Sequence, residues 1–386
     1  MNARERMRQA MSLAAPEPVP VMCQLSIGHV LVNADVDPLR FNFTNDGFAR
    51  GLLAMQARYG FDGILIHKPG RDRGVLDRAE VIATERGPQL SFPDGGAILC
   101  PADEDPRYRP PRDYRPPSLD EVDPDALFQG IPESLAHWRF NCGLFDWNAR
   151  PDVPDCWVEC LDRIREATRG TLSVHGEVNS PFDAVFHVLE FEDVLTGLLT
   201  HPAVIHALLQ ALTEPSIRWG IAQVDRGCDA IKLSSPWAGG GFISREHYRA
   251  FVLPYERRVV RAIQNAGGRV YTHTCGAIGD RLDLIAASGV DGIECLDPPP
   301  VGDVRLAEAK AAWGDRLFIK GNVDPIHTLL RGTPDDVRND ARERLRVGAR
   351  GGGFILSSAC SVAPYVPPAN VEALVEAARA VHATSA

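Results

Sequence analysis

A chain of 386 residues with 45% apolar and 24% charged side chains is long enough for one large domain with a sizeable core. Its formal net charge of −10 works against general binding to nucleic acid or to anionic membranes, whose phosphates repel it. No apolar run has the length that spans a bilayer, and Met1 to Met7 open a charged amphipathic helix with no apolar signal core behind it, so a cytoplasmic location is expected. The nine cysteines are odd in number and spread through a large chain, which argues against a disulfide framework. Free cysteines are usually small buried hydrophobes, so the informative ones are those that break this habit.

Short apolar runs with strand character cover residues 20–27, 63–67, 171–178, 229–235, 269–275, 292–297, 317–323 and 354–360. Helical periodicity fills 46–59, 204–226, 245–266, 277–287, 304–313 and 335–349. Eight strands alternating with helices predict an α/β fold, a (β/α)8 TIM barrel, with a doubly wound open sheet as the rival. Asp324-Pro325 and Thr333-Pro334 supply N-caps followed by proline at the first helical position. The rhythm breaks between the second and third strands, where about a hundred residues stand in place of one short connection. This insertion, about 68–170, carries the turn signal Pro93-Asp94-Gly95-Gly96 of a β-hairpin, a proline-rich stretch, and short helices expected near 120–128 and 157–168. It reads as an excursion that covers the barrel mouth, leaving 1–386 as a single domain.

The chemistry gathers at strand ends. His273 and Cys275 lie two apart at the end of the fifth strand, so they project to one face, and Gly276 then lets the chain turn away. Cys360 ends the eighth strand. Carboxyl ends of barrel strands face the active-site mouth, so the three converge there. One imidazole and two thiolates suit zinc and leave a position open for substrate. His-x-Cys alone is a weak signal, and three ordinary core residues remain the plain alternative.

Residues beyond this triad carry a family resemblance. They are His273-Thr274-Cys275-Gly276, Ser288 to Glu294, Lys320-Gly321-Asn322-Val323-Asp324-Pro325, Leu329 to Pro334, Ala359 to Pro364 and Pro367 to Val371. Together with Glu5-Arg6-Met7 and Pro18 to Val21, they resemble the uroporphyrinogen decarboxylase superfamily, in particular its zinc-dependent methyltransferase branch. The resemblance implies a (β/α)8 barrel, zinc held by His273, Cys275 and Cys360, and a homodimer. It further implies transfer of a methyl group between a methylated donor, a corrinoid (cobalamin) on a partner protein and a thiol. The family's decarboxylases use arginines just after the opening strand to hold porphyrinogen carboxylates, whereas here Met22 to His29 contain none. Tetrapyrrole decarboxylation is therefore disfavoured, although a decarboxylase or other carbon–carbon lyase on this fold is the alternative. A Schiff-base aldolase using Lys232 or Lys320 and a non-catalytic binding protein are more distant readings.

Supporting residues follow from position. His175 and Glu177 alternate on the third strand and are expected to face the mouth, Glu177 as a general acid or base. His67, His29, Trp237 and Asn322 are candidates for substrate contact, with Trp138 and Trp147 as further pocket walls. Structural histidines and buried aromatics are the plainer explanation for several of these. Glu294 or Asp297 is expected to orient His273, and Gly239-Gly240-Gly241 reads as a flexible loop.

Overall fold

The computed structural model describes residues 1–67, 74–146 and 153–383. Its centre is a parallel sheet of seven strands: β1 (Gly63–Ile66), β6 (Ser173–Asn179), β7 (Ala230–Ser234), β8 (Val270–Thr274), β9 (Gly292–Cys295), β10 (Phe318–Val323) and β11 (Phe354–Ser358), paired in that order. Between β1 and β6 the insertion forms a separate antiparallel sheet of β2 (Glu80–Thr84), β3 (Gly87–Ser91), β4 (Ala97–Leu99) and β5 (Arg107–Arg109). The Pro93–Gly96 signal makes the expected hairpin turn between β3 and β4, closed by the Phe92 amide donating to the Gly96 carbonyl at 2.9 Å.

The expected first strand departs from the prediction. Residues 20–25 make two isolated parallel bridges to the far edge, Val21 to Leu356 and Leu25 to Val362, and no continuous ladder. On the other side Val21 exchanges hydrogen bonds with Asp62, just before β1: the Asp62 amide donates to Val21 O, and the Val21 amide donates to the Asp62 carboxylate, both at 2.8 Å. One extended segment thus lies against both edges, and the seven-stranded sheet curls around it. The ladder is interrupted because Pro20 has no amide to give and the Ser358 amide is turned to the Cys23 sulfur at 3.4 Å. Residues 120–128 also differ, forming turns and no helix; Asp123 accepts the Asp125 amide at 2.9 Å, a local bond that competes with helix. The neighbouring helix is Glu133–Asn141, and a later one is Asp155–Ala167.

The amino-terminal end of the sheet is sealed. Helix Ala3–Met11 begins with a capping box on Asn2 and inserts Met7, Ala10 and Met11 among Leu65, Ala230, Tyr271, Phe318 and Ile355. Salt bridges pin it: Arg4 and Arg8 to Asp229 at 2.9 Å each, and Arg6 to Asp62 at 2.5 Å. Substrate access is therefore left to the carboxyl ends of the strands, the end where the insertion's Asp103 carbonyl closes on Gly28 and Pro364. A β-carbon on Gly28 would lie 2.1 Å from that carbonyl, so only glycine fits.

Asp62 is fully buried and holds Arg6, Arg379 and the Val21 amide together. Removing one member of such a set strands the others. Asp62→Ala is expected to lower unfolding free energy by about 3–5 kcal/mol, read from the urea midpoint; a loss within about 0.5 kcal/mol would show that the closure does not depend on it.

Candidate metal centre

Four soft donors meet where β8, β9 and β11 end. His273 lies on β8, Cys275 follows it, Cys295 ends β9, and Cys360 follows β11. Their ligand atoms all lie within 4.8 Å of one another. The Cys275 sulfur is 3.3 Å from His273 Nε2 and 3.6 Å from the Cys360 sulfur, which is itself 3.8 Å from Nε2. A tetrahedron with metal–sulfur bonds of about 2.3 Å has sulfur–sulfur edges of about 3.8 Å and shorter sulfur–nitrogen edges. The donor set and its spacing therefore fit a soft or borderline divalent ion.

Cys295 is the donor that sequence reasoning misses. Strand alternation puts Glu294 on the inner face and sends Cys295 outward. The backbone departs from this with φ of +82° at Cys295 and +57° at Leu296, a left-handed bend uncommon for residues with a β-carbon. Two neighbours hold it: Asn322 Nδ2 donates to Leu296 O at 2.8 Å, and Asp297 Oδ2 accepts both the Cys295 thiol at 3.2 Å and the Gly276 amide at 2.8 Å. Asn322, expected to touch substrate, is fully buried in this supporting position, with its Oδ1 unpaired among the described residues.

Behind the imidazole runs a buried chain of charge. His273 Nδ1 is 3.2 Å from Glu294 Oε2, and the other oxygen of Glu294 is held by Lys320 Nζ. Register explains the chain: His273 pairs with Glu294 across β8 and β9, and Glu294 with Lys320 across β9 and β10. Burial pushes the Lys320 amine down to about 7. Burial also lowers the His273 pKa, but the Cys275 charge and the bonds from Cys275 and Cys360 outweigh it and carry the imidazole up to about 9. Hydrogen bonds from Cys275 and Cys295 hold the Cys360 thiol well below the usual range, while burial raises Cys295 and Asp297.

A second group faces the cluster from β6 and β7. Glu177 Oε1 is 3.0 Å from Lys232 Nζ, and Lys232 crosses the interior to Gln24 Oε1 at 2.7 Å. Above them Ser180 caps the helix Pro181–Val185, whose Asp183 is nine-tenths buried. Its carboxyl is pushed up to about 8, first by burial and then by the Glu177 charge, against pulls from Lys232 and His273. Asp183 was not a candidate in the sequence, where Ser180-Pro181 followed by an acid reads as ordinary capping.

The remaining candidates have other contacts. His175 is one layer deeper than expected, 3.1 Å from the Tyr271 hydroxyl and 3.2 Å from Ser173 Oγ, and burial pushes its pKa down to about 3. Alternation gives the face of a strand and not the depth along it. His29 is buried on helix Ile27–Asn33, its Nδ1 donating to Ala363 O at 3.0 Å and its Nε2 accepting from Tyr59 at 2.7 Å. His67 packs edge-on against Phe48, and Trp138 stacks on Tyr108 in the insertion. Trp237 joins Phe186, Phe191 and Phe242 in an aromatic group after β7; Trp147 lies outside the described residues. The glycine loop is not free: the Gly240 amide donates to Ala277 O at 2.7 Å, and a β-carbon on Gly239 would meet Cys275 O at 2.2 Å.

Known proteins are similar to this chain over part or all of its length. The methylcobamide:CoM methyltransferase MtbA of Methanosarcina acetivorans is 28% identical over 58% of this chain and 62% of its own length. The methylated-thiol–coenzyme M methyltransferase of Methanosarcina mazei is 30% identical over 57% and 56%, and a uroporphyrinogen decarboxylase of Mycobacterium is 33% identical over 57% and 64%. The chain thus spans about three fifths of the length of the curated relatives that it matches. A solved methyltransferase from Methanosarcina mazei shares the fold, with a TM-score of 0.73 over 99% of each chain at 19% identity. The family model described as uroporphyrinogen decarboxylase (URO-D) matches residues 151–381, well over half of the sequence, and the chain belongs to that family.

Proposed function

We propose that this protein is a zinc-dependent methyltransferase that moves a methyl group between a methylated donor, a corrinoid carrier and a thiol. The observation that carries the reading is the convergence of His273, Cys275 and Cys360 at tetrahedral spacing, with Cys295 within 4.8 Å of them. The names of the methyltransferase relatives support it. Bound zinc would supply Lewis acidity, lowering the pKa of a thiol and favouring its thiolate form near neutral pH.

The chain's own residues do the rest. Glu294 orients the imidazole and fixes which nitrogen faces the donors, and Lys320 balances the carboxylate charge. Asp297 and Asn322 keep the Cys295 sulfur turned inward. His273, Cys275 and Cys360, with Cys295 beside them, would hold the metal, and a thiol substrate would bring its sulfur to the same cluster. A single domain over 1–386, a complete eight-stranded barrel, a homodimer, a cytoplasmic location and a corrinoid-bearing partner protein accompany this proposal on the strength of the family resemblance.

The decisive experiment measures metal by mass spectrometry in wild-type, His273→Ala and Cys360→Ala proteins. About one zinc per wild-type chain, lost in both variants with the circular dichroism spectrum retained, is the expected result. Wild-type protein that stays metal-free after reduction and zinc addition would sink the reading and bring a metal-independent decarboxylase forward. Glu294→Gln should weaken zinc about 10–100-fold in competition with a chelator; unchanged affinity would remove the orienting role.

Proton linkage gives a further check. Metal ligands must be deprotonated, so apparent zinc affinity should rise with pH through the range where His273 becomes neutral, at about 9, with protons released on binding. In chelator-treated protein the sign reverses. A pKa raised from 6.5 to about 9 on folding adds stability that is complete below pH 6.5 and lost as pH rises through 9, which urea midpoints across that window would reveal. Parallel pH trends with and without zinc would contradict this assignment.

A further inference from the structure

We propose that Asp183 and Glu177 form a subsite for a protonated amine carried by the substrate, a few bonds from the atom that engages the metal cluster. This rests on the methyltransferase reading and narrows its substrate class. The wall is built from the ends of β6 and β7. Ser180 ties them together, its amide donating to Ser234 O at 2.7 Å and its hydroxyl 3.1 Å from Ser235 Oγ, and this sets the first turn of the Pro181–Val185 helix over the mouth.

The acceptors on this wall are left without donors. Only 6% of Asp183 is exposed, and no described residue donates to its carboxyl oxygens. Glu177 gives one oxygen to Lys232, and its other oxygen is buried without a partner among the described residues. Among the described residues Lys232 is the one cation bonded here, and Glu177 and Gln24 already take it up. Lys232 thus satisfies one oxygen of Glu177 and leaves the other, and the Asp183 carboxyl beside it, without a bonded donor. A buried acceptor such as this Glu177 oxygen is costly to leave unpaired, and structures keep few of them without a purpose.

The same arrangement specifies the ligand. Carboxyl oxygens accept hydrogen bonds, so the complementary group must bear N–H or O–H, and a positive charge supplies the missing counter-ion. A primary or secondary ammonium meets both demands, whereas a quaternary ammonium brings the charge without the donors. Register sets the orientation toward the cluster: the Ser180 amide bonds to Ser234, and Ser234 pairs with His273 across β7 and β8. Its carboxyl, held up near 8 by burial and by Glu177, would ionise fully once an ammonium lay between the two acids.

The test is calorimetric titration of the zinc-loaded full chain with 2-aminoethanethiol and with 2-mercaptoethanol, in wild-type, Asp183→Asn and Glu177→Gln proteins. The two probes differ in intrinsic thiol acidity, but that difference is the same for every protein, so the change in their affinity ratio reports the subsite. The ratio favouring the aminothiol is expected to fall about tenfold or more in Asp183→Asn, and in the same direction in Glu177→Gln, which guards against one variant failing to fold. Thiol binding with a ratio unchanged in both variants overturns this inference alone. Zinc-loaded protein that takes neither thiol overturns the thiol-based reading and the inference with it.

Discussion

Three sulfurs crowded within 4.8 Å of one another and of an imidazole nitrogen repel each other as the thiols ionise, and the protein has to hold them there against that tendency. It does so with backbone. His273 stands on a fully buried strand, Cys275 and Cys360 sit just beyond the last paired residues of β8 and β11, and Cys295 is turned inward by a left-handed bend. Each support reaches to a neighbouring strand: Asp297 to Gly276, Asn322 to Leu296, and Lys320 through Glu294 to His273. Loosening one strand end would shift a donor on the next.

The interior has a gradient of polarity along the strand direction. At the amino-terminal end the first helix contributes methionines to an apolar plug, and His175 is kept uncharged inside it. One level higher, Glu177, Lys232, Glu294 and Lys320 are buried as paired charges. At the carboxyl ends come the thiols and the under-satisfied Asp183. Charge thus becomes less compensated toward the open end, where a ligand can complete it. Pairing deep inside and shortage at the mouth is the order expected of a binding site, because desolvated charge without a partner is tolerable only where a partner can arrive.

Much of this architecture is legible in the sequence. Parallel strands buried on both faces read as short apolar runs, and Ile64-Leu65-Ile66 or Ala230-Ile231 show it plainly. His273 and Cys275 follow from period-two alternation, and Cys360 from the strand that precedes it. What escapes depends on three-dimensional context. The 20–25 stretch has strand composition, yet a proline and side-chain acceptors break its ladder. Cys295 requires a backbone bend that its own side chain disfavours, so no propensity rule reveals it. His175 lies deeper than alternation alone suggests because register sets the depth of a side chain, and register belongs to strand pairs.

The glycine loop after β7 has a consequence for how the mouth can open. Gly239 and Gly240 lie directly on the Cys275–Ala277 backbone, and the buried Arg281 guanidinium donates to the Ala238 and Ile243 carbonyls from the adjoining turn at 2.8 and 3.1 Å. The loop that carries Trp237 and the strand end that carries Cys275 therefore behave as one fixed doorpost. With no slack between them, a molecule too wide for the entrance gains nothing by pushing on this side. Across the mouth the insertion is packed as closely, its Asp103 carbonyl against Gly28 and its Asp103 carboxylate taking the Tyr365 hydroxyl, so the entrance is framed by fixed backbone on both sides.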